Sequence, residues 1–368
     1  MLGGAWRHSL QGIHIVTSID TRTPIRVDVT TGGAGSAILI GDGIADQLPT
    51  LLEDHAIGAR RFVVSTSNIW RLHGPQVQRV LGAVEPILLP DGERYKNLQS
   101  VAKVYDALIR ANADRGSAII AVGGGVIGDT AGFAAATFLR GITLVHVPTT
   151  LLAQVDSSVG GKVGVNHALG KNLIGAFHQP RLVVIDPLLL QTLPRREFRS
   201  GLYEVVKYGM IASRSLFELL SRETKAVFDR DPSVLAPAIV ESCRIKADVV
   251  SKDERESGLR RILNYGHTVG HALEAVTKYR RYRHGGDRVR DAGGRRPRRR
   301  ARRPRRTGTP GARPVDRRSR PLAAGRRSAD AGSARRGQAR QEGRQRKVAF
   351  RHRHRDRGHD DDRRRDGS

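Results

Sequence analysis

The stretch Asn264-Tyr-Gly-His-Thr-Val-Gly-His-Ala-Leu-Glu274 sets two imidazoles, His267 and His271, four residues apart, and a third, His284, follows. On a helix, residues four apart stand on one face, one turn above the other. Upstream, Glu204 sits in Gly-Leu-Tyr-Glu-Val-Val-Lys207, a stretch with helical character. Two imidazoles and a carboxylate are the donors of a catalytic zinc site that keeps one position open. The same spacing also describes a buried histidine pair satisfied by hydrogen bonds, so the motif needs its context.

The elements that must position these residues alternate. Apolar, β-branched runs at 25–29, 37–40, 62–64 and 87–89 are bounded by turn residues and read as strands. Between them come helical patterns, such as 97–111, where Val101, Val104, Tyr105 and Leu108 share a face. This alternation argues for a mostly parallel sheet covered on both sides. A buried strand from Ser117 runs into Gly123-Gly-Gly-Val-Ile-Gly-Asp129, and a helix is expected to follow. Such a turn lets backbone amides approach a pyrophosphate at a helix N-terminus, although the spacing is not G-x-G-x-x-G. Glycines that only make a tight turn are the alternative. Strands are also expected at 144–150 and, last, at 182–186. Beyond Pro187 the pattern turns helical over 200–220, 234–252 and 258–278, which places a domain boundary near Asp186.

Composition narrows the class. In 368 residues no apolar run reaches membrane-spanning length. No apolar core precedes a small-residue cleavage site near the start, so no signal peptide is expected. The single cysteine, Cys243, excludes an internal disulfide framework, fits a reducing, cytoplasmic setting and is expected to be inert. The net charge of +28 is concentrated in residues 286–368, where 29 Arg and 1 Lys stand against 10 Asp and Glu, a net +20. That segment has no apolar periodicity and is expected to be disordered. Its functional reading is a nucleic-acid-binding arm; the plainer one is a charge run that meets polyanions non-specifically. Back-translated and shifted by one base, 340–358 can give a strand-like ending, which favours a frameshifted tail.

Taken together, these segments resemble 3-dehydroquinate synthases of the sugar-phosphate cyclase superfamily. The matching pieces are Asp91-Gly-Glu-Arg-Tyr-Lys96, the glycine turn, Phe138-Leu-Arg-Gly141, 148–162, 170–180, Glu204-Val-Val-Lys207, Lys246, 253–260 and the histidine stretch. The resemblance runs from about residue 25 to 285. It implies an N-terminal Rossmann-like α/β domain (25–186) and an all-α metal and substrate domain (187–285, incomplete). A flexible extension (1–24) precedes them and the Arg-rich tail (286–368) follows. It implies NAD, a divalent metal (Zn or Co), a sugar-phosphate substrate, a homodimer and no membrane. The implied reaction converts 3-deoxy-D-arabino-heptulosonate 7-phosphate to 3-dehydroquinate and phosphate, a shikimate-pathway step. Near alternatives are another sugar-phosphate cyclase or a metal-dependent alcohol dehydrogenase; a basic-tailed nucleic-acid-binding protein is the alternative of another class.

Residue by residue, the resemblance assigns the metal to Glu204, His267 and His284, and proton handling to His271. Arg140, Lys162, Asn172, Lys207, Lys246 and Arg260 would bind substrate with His271; Lys162 and Asn264 are also assigned to catalysis, and Asp156 and Glu256 would orient the reacting groups. The cofactor would meet Asp91, Glu93, Lys96, Gly125, Val126, Ile127, Gly128, Asp129, Thr149, Thr150, Lys162, Lys171, Leu189, Leu190, Gln191 and Thr192. The family continues beyond its third histidine into helices that carry a further substrate lysine. This chain departs there, and the expectation is low solubility and marginal activity.

Overall fold

The computed structural model describes residues 23–32 and 35–265. The expected helix beyond Tyr265, with His267, His271 and His284, the Arg-rich segment 286–368 and nearly all of 1–24 lie outside the described residues.

Nine strands and eight α-helices follow in order among the described residues: β1 (Ile25–Val29), β2 (Ser36–Ile40), α1 (Leu48–Asp54), β3 (Arg61–Thr66), α2 (Ser67–Leu81), β4 (Ile87–Leu89), α3 (Leu98–Arg110), β5 (Ala118–Gly123), α4 (Gly125–Thr137), β6 (Thr143–Pro148), β7 (Lys162–His167), β8 (Gly170–Phe177), β9 (Leu182–Ile185), α5 (Arg195–Ile211), α6 (Arg214–Arg222), α7 (Thr224–Asp229) and α8 (Pro232–Lys252). Seven strands form one sheet in the order β1-β2-β9-β6-β5-β3-β4. All neighbours run parallel except β1 and β2, which are antiparallel.

Period-2 alternation divides the sheet between two faces. Ile120 and Val122 of β5, with Leu39 of β2 and Val184 of β9, pack on α1 and α2. Ile119 and Ala121 face the opposite way, against α3 and α4. On that same opposite face, but at the β1–β2–β9 end, Ile38, Ile40, Val183 and Ile185 join Phe198, Val205, Tyr208, Ile239 and Val250 of the later helices. Strand gives way to helix at Asp186, and this one cluster spans both sides of it. Each fully buried Ile or Val contributes roughly 1.5–3 kcal/mol of transfer free energy.

Two expectations need correction, and one element is new. The helix expected over 200–220 is two helices, because Ser213 breaks away and its hydroxyl caps α6 by accepting from the Leu216 amide at 3.3 Å. The helix expected from 258 begins instead as a 3-10 turn over Leu259–Asn264. There the Asp253 carboxylate takes the amides of Ser257, Gly258 and Arg260 at 2.8–3.0 Å and fixes a loop in place of a first helical turn. The antiparallel hairpin β7–β8, packed on α4, was not expected at all.

Candidate active site

Parallel strands put all their C-terminal ends on one edge, and the chain order shows where that edge opens. From β3 the chain steps outward to β4, then crosses back to β5 and proceeds through β6 to β9. The reversal between β3 and β5 is the switch point at which doubly wound sheets hold ligands. Gly124 there begins α4 with no side-chain cap, so the first amides of the helix face outward, a suitable end for an anion. The end of β6 and the turn beyond it press close. A Cβ on Gly124 would lie 3.0 Å from Thr150 Cγ2, and one on Gly125 3.0 Å from Ser157 Oγ.

Thr149 and Thr150 are fixed by this crowding. The Thr149 amide donates to Gly123 O at 3.1 Å, and Thr150 Oγ1 accepts from the Ala153 amide at 3.1 Å. At the end of β9, buried Asp186 accepts from Gly43, Ala45 and Leu188 amides and starts the 3-10 turn Pro187–Thr192. Leu189 and Leu190 are buried there, Gln191 donates to Arg230 O, and Thr192 Oγ1 meets His73 Nε2 at 3.0 Å.

One polar network runs from α4 to the hairpin. Lys96 pairs with Asp129 at 2.5 Å and donates to Asn172 Oδ1 at 2.6 Å. Asn166 donates to Glu93 Oε1 at 2.8 Å and accepts from the Asn172 amide at 3.0 Å. Asn172 has φ 53°, a left-handed backbone that asparagine tolerates. Burial pushes the Asp129 carboxyl up, and Lys96 opposes that rise. Asp91 and Lys171 are exposed at the borders of this network.

A second network joins a π-helical turn, Ala153–Ser157, to α5 and α8. Lys246 donates to Asp156 O at 2.6 Å and pairs with its carboxylate. Tyr208 Oη lies 3.1 Å from the same carboxylate. Lys207 pairs with Glu204 and donates to Leu263 O at 2.9 Å. Lys207, Lys246 and Arg260 are all buried, which charged side chains tolerate only when partnered. Burial pushes the Lys246 ammonium down; Asp156 raises it, and nearby Arg260 and Lys207 lower it further.

The 253–264 loop adds a third set of contacts. Arg260 donates to Glu254 O at 2.6 Å and Gly160 O at 3.2 Å, and Gln179 donates to Glu254 at 3.0 Å. Lys162 pairs with Glu256, which also accepts from Asn264 at 2.7 Å. Burial pushes the Glu256 carboxyl up, but the hydrogen bonds from Lys162 and Asn264, with the Lys162 and Arg260 charges, together hold it below its usual range. Glu256 has φ 60°, a costly conformation for a side chain of this kind, kept because the loop determines it.

Thus Asp156, Lys162, Glu204, Lys207, Lys246, Glu256, Arg260 and Asn264 come together in linked networks. Asn172 falls instead with Lys96 and Asp129. Arg140 is exposed at the other end of α4, about 20 Å along the helix from the glycine turn, and takes no part in these contacts. Among the described residues no three metal-donor side chains converge; Glu204 is the described member of the expected metal set. It fits that role: its side chain is buried, and the chain leading toward His267 passes at Leu263, one lysine away. Tyr208, Asn166, Gln179 and Glu254 were missed in the sequence. Gln179 and Glu254 lie inside the matching pieces 170–180 and 253–260, and Asn166 is the polar end of an alternating run, Val163 to Asn166; Tyr208 left no such signal.

Comparison with known proteins places the chain in a family. Family models described as 3-dehydroquinate synthase N-terminal and C-terminal match residues 86–200 and 201–287. The 3-dehydroquinate synthase of Halorhodospira halophila is 52% identical over 257 residues, 70% of this chain and 72% of the relative. That of Thermosynechococcus vestitus is 53% identical over 268 residues, 70% and 73% of the two chains. Among solved structures, 2-deoxy-scyllo-inosose synthase complexed with carbaglucose-6-phosphate, NAD+ and Co2+ is similar, with a TM-score of 0.65, 30% identity and 72% of each chain covered. So is 2-epi-5-epi-valiolone synthase from Streptomyces hygroscopicus subsp. jinggangensis 5008 with NAD+ and Zn2+ bound (TM-score 0.62, 27% identity, 67% of this chain and 70% of that one). The chain belongs to the 3-dehydroquinate synthase family.

Proposed function

We propose that this chain performs the family's reaction: conversion of 3-deoxy-D-arabino-heptulosonate 7-phosphate to 3-dehydroquinate with release of phosphate, a carbon–oxygen lyase reaction. The observation that carries the reading is the convergence of buried Lys207, Lys246 and Arg260 with Glu204 and Asp156. Buried cations of this density suit a small substrate that carries both phosphate and carboxylate. The bound NAD and metal of the two cyclase structures support the same groups here. The glycine turn, Thr149, Thr150, Lys96 and Asp129 would hold the dinucleotide, with Asp91, Glu93, Lys162, Lys171 and 189–192 around it. Glu204 would hold a divalent metal together with His267 and His284. When bound, nicotinamide supplies a hydride acceptor and donor, and the metal supplies Lewis acidity at a substrate oxygen.

The chain's own residues do the rest. Lys162, Lys207, Lys246 and Arg260 are each already held by a carboxylate or carbonyl, so an anionic substrate meets cations whose positions are set before it arrives. Asp156 and Glu256 orient the reacting groups, Asn264 holds Glu256, and the 253–264 loop shields the site from water. Proton transfer is assigned to His271, and Arg140 to substrate, by family membership alone. The strand-to-helix change at Asp186 suits a division into a nucleotide part and a metal and substrate part.

A homodimer is supported by the outer edge of β8, unpaired among the described residues, where Leu173 and Phe177 are exposed. Nucleic-acid contact is assigned only to the net +20 of 286–368, as non-specific attraction. No helix of the described residues is long and apolar enough to cross a membrane.

The test is phosphate release from the heptulosonate phosphate with NAD and Zn2+ or Co2+, compared between the full chain and Glu204→Gln. The expected result is low but measurable release by the full chain, as its altered ending implies, and none above background, with weakened metal binding, in the variant. Activity confined to a polyol or a different sugar phosphate would overturn the assignment.

A further inference from the structure

A π-helical turn leaves backbone carbonyls outside the usual i to i+4 ladder. In the turn that carries Asp156, three successive carbonyls are each met by a side chain from the packed helices. Cys243 Sγ donates to Gln154 O at 3.4 Å, Tyr208 Oη to Val155 O at 3.1 Å, and Lys246 Nζ to Asp156 O at 2.6 Å. The same phenol also reaches the Asp156 carboxylate at 3.1 Å, so its proton is shared between the turn's backbone and its functional side chain. Tyr208 is fully buried on α5, and the Lys207 ammonium lies 5.0 Å above its ring. Burial first, and then the nearby Asp156 and Glu204 charges, push the phenol well above its ordinary range, so it stays a donor at any working pH. A phenylalanine would fill the same space; the hydroxyl is what the turn uses.

We propose that Tyr208 is a positioning residue for the reaction: its hydroxyl holds the wide turn open and sets the direction in which Asp156 presents its carboxylate. The role in turnover rests on the reading of Asp156 given above.

Two measurements on the full chain test it. In the first, Tyr208→Phe, Asp156→Asn and the double variant are compared in phosphate release. Tyr208→Phe lowers kcat about tenfold and changes KM less than about twofold, and it has almost no further effect in the Asp156→Asn background. A wild-type kcat in Tyr208→Phe, or the same loss in both backgrounds, overturns the proposal. The second measurement needs no turnover. Cys243 is the only cysteine in the chain and bonds to the same turn, so its labelling by an aromatic disulfide reports whether the turn is held. Tyr208→Phe speeds labelling about tenfold as the turn opens locally, whereas Tyr105→Phe, whose hydroxyl meets Thr137 at the C-terminal end of α4, leaves the rate unchanged. Unchanged labelling in Tyr208→Phe overturns the proposal even if the chain is inactive, whereas an inactive wild-type chain with faster labelling in the variant counts against the reaction and not against the positioning.

Discussion

His146 lies in β6 beneath α4, where a Cβ on Gly128 would come within 3.1 Å of its ring. Burial, with His178 nearby, pushes its imidazole down to about 4. The folded value is below the unfolded value of about 6.5, so the unfolded chain binds the proton first as pH falls. The stabilisation from a neutral His146 is complete above about pH 6.5 and is lost progressively toward pH 4. Between pH 7 and pH 4.5 the wild-type chain should lose about 2.5 kcal/mol more than His146→Leu, measured by urea unfolding at both pH values. Equal losses would mean that the ring is solvated. Single residues were unevenly legible in the sequence. The cations were legible only through the family resemblance, and Glu204 as a carboxylate in a helical stretch upstream of the histidines. Tyr208 did not, because its partners Val155 and Asp156 lie 53 and 52 residues away, and nothing local marks the contact.

Helix α5 sets three of these residues at once, and Gly201 sets α5. A Cβ at Gly201 would lie 2.5 Å from Leu152 N and 2.7 Å from Leu151 Cβ, atoms of the turn just before the π-helical segment. Gly201→Ala should therefore push the helix off that turn, cost about 1–3 kcal/mol and carry Glu204, Lys207 and Tyr208 out of register. Gly32→Ala, which meets nothing within 4 Å, should be neutral in the same denaturation experiment. If both variants unfold alike, α5 does not depend on that approach. The sheet and its alternation with helices were readable because buried strands such as 118–123 are continuous apolar runs. The β7–β8 hairpin was hidden by its own packing device. Gly164 and Gly175 face each other across it, and a Cβ on either would strike the opposite backbone at 2.5–2.6 Å. The glycines that let the strands approach also interrupt the apolar pattern that would have announced them. The break between α5 and α6 was missed for a similar reason. Gly209 lets the Phe217 backbone come within 3.0–3.1 Å of where a Cβ would sit, and an apolar period continues through the corner.

At the scale of the whole molecule, one sheet edge gathers a glycine turn, two threonines and a capped 3-10 turn, and the helices beyond Asp186 bring buried cations toward it. The first 285 residues carry +8 of the total +28, and the basic segment that follows carries the rest. The proposed conversion of heptulosonate phosphate to dehydroquinate and phosphate leaves no reducing equivalents over, so a bound NAD would be oxidant and reductant within one cycle. The most direct measurement supplies the full chain with Co2+, excess 3-deoxy-D-arabino-heptulosonate 7-phosphate and a small fraction of that amount of NAD, and follows phosphate and NADH together. The account predicts many phosphates released per NAD with no net rise in NADH. NADH accumulating in step with substrate consumed, or NADH formed without phosphate, would contradict it and make the chain a simple dehydrogenase.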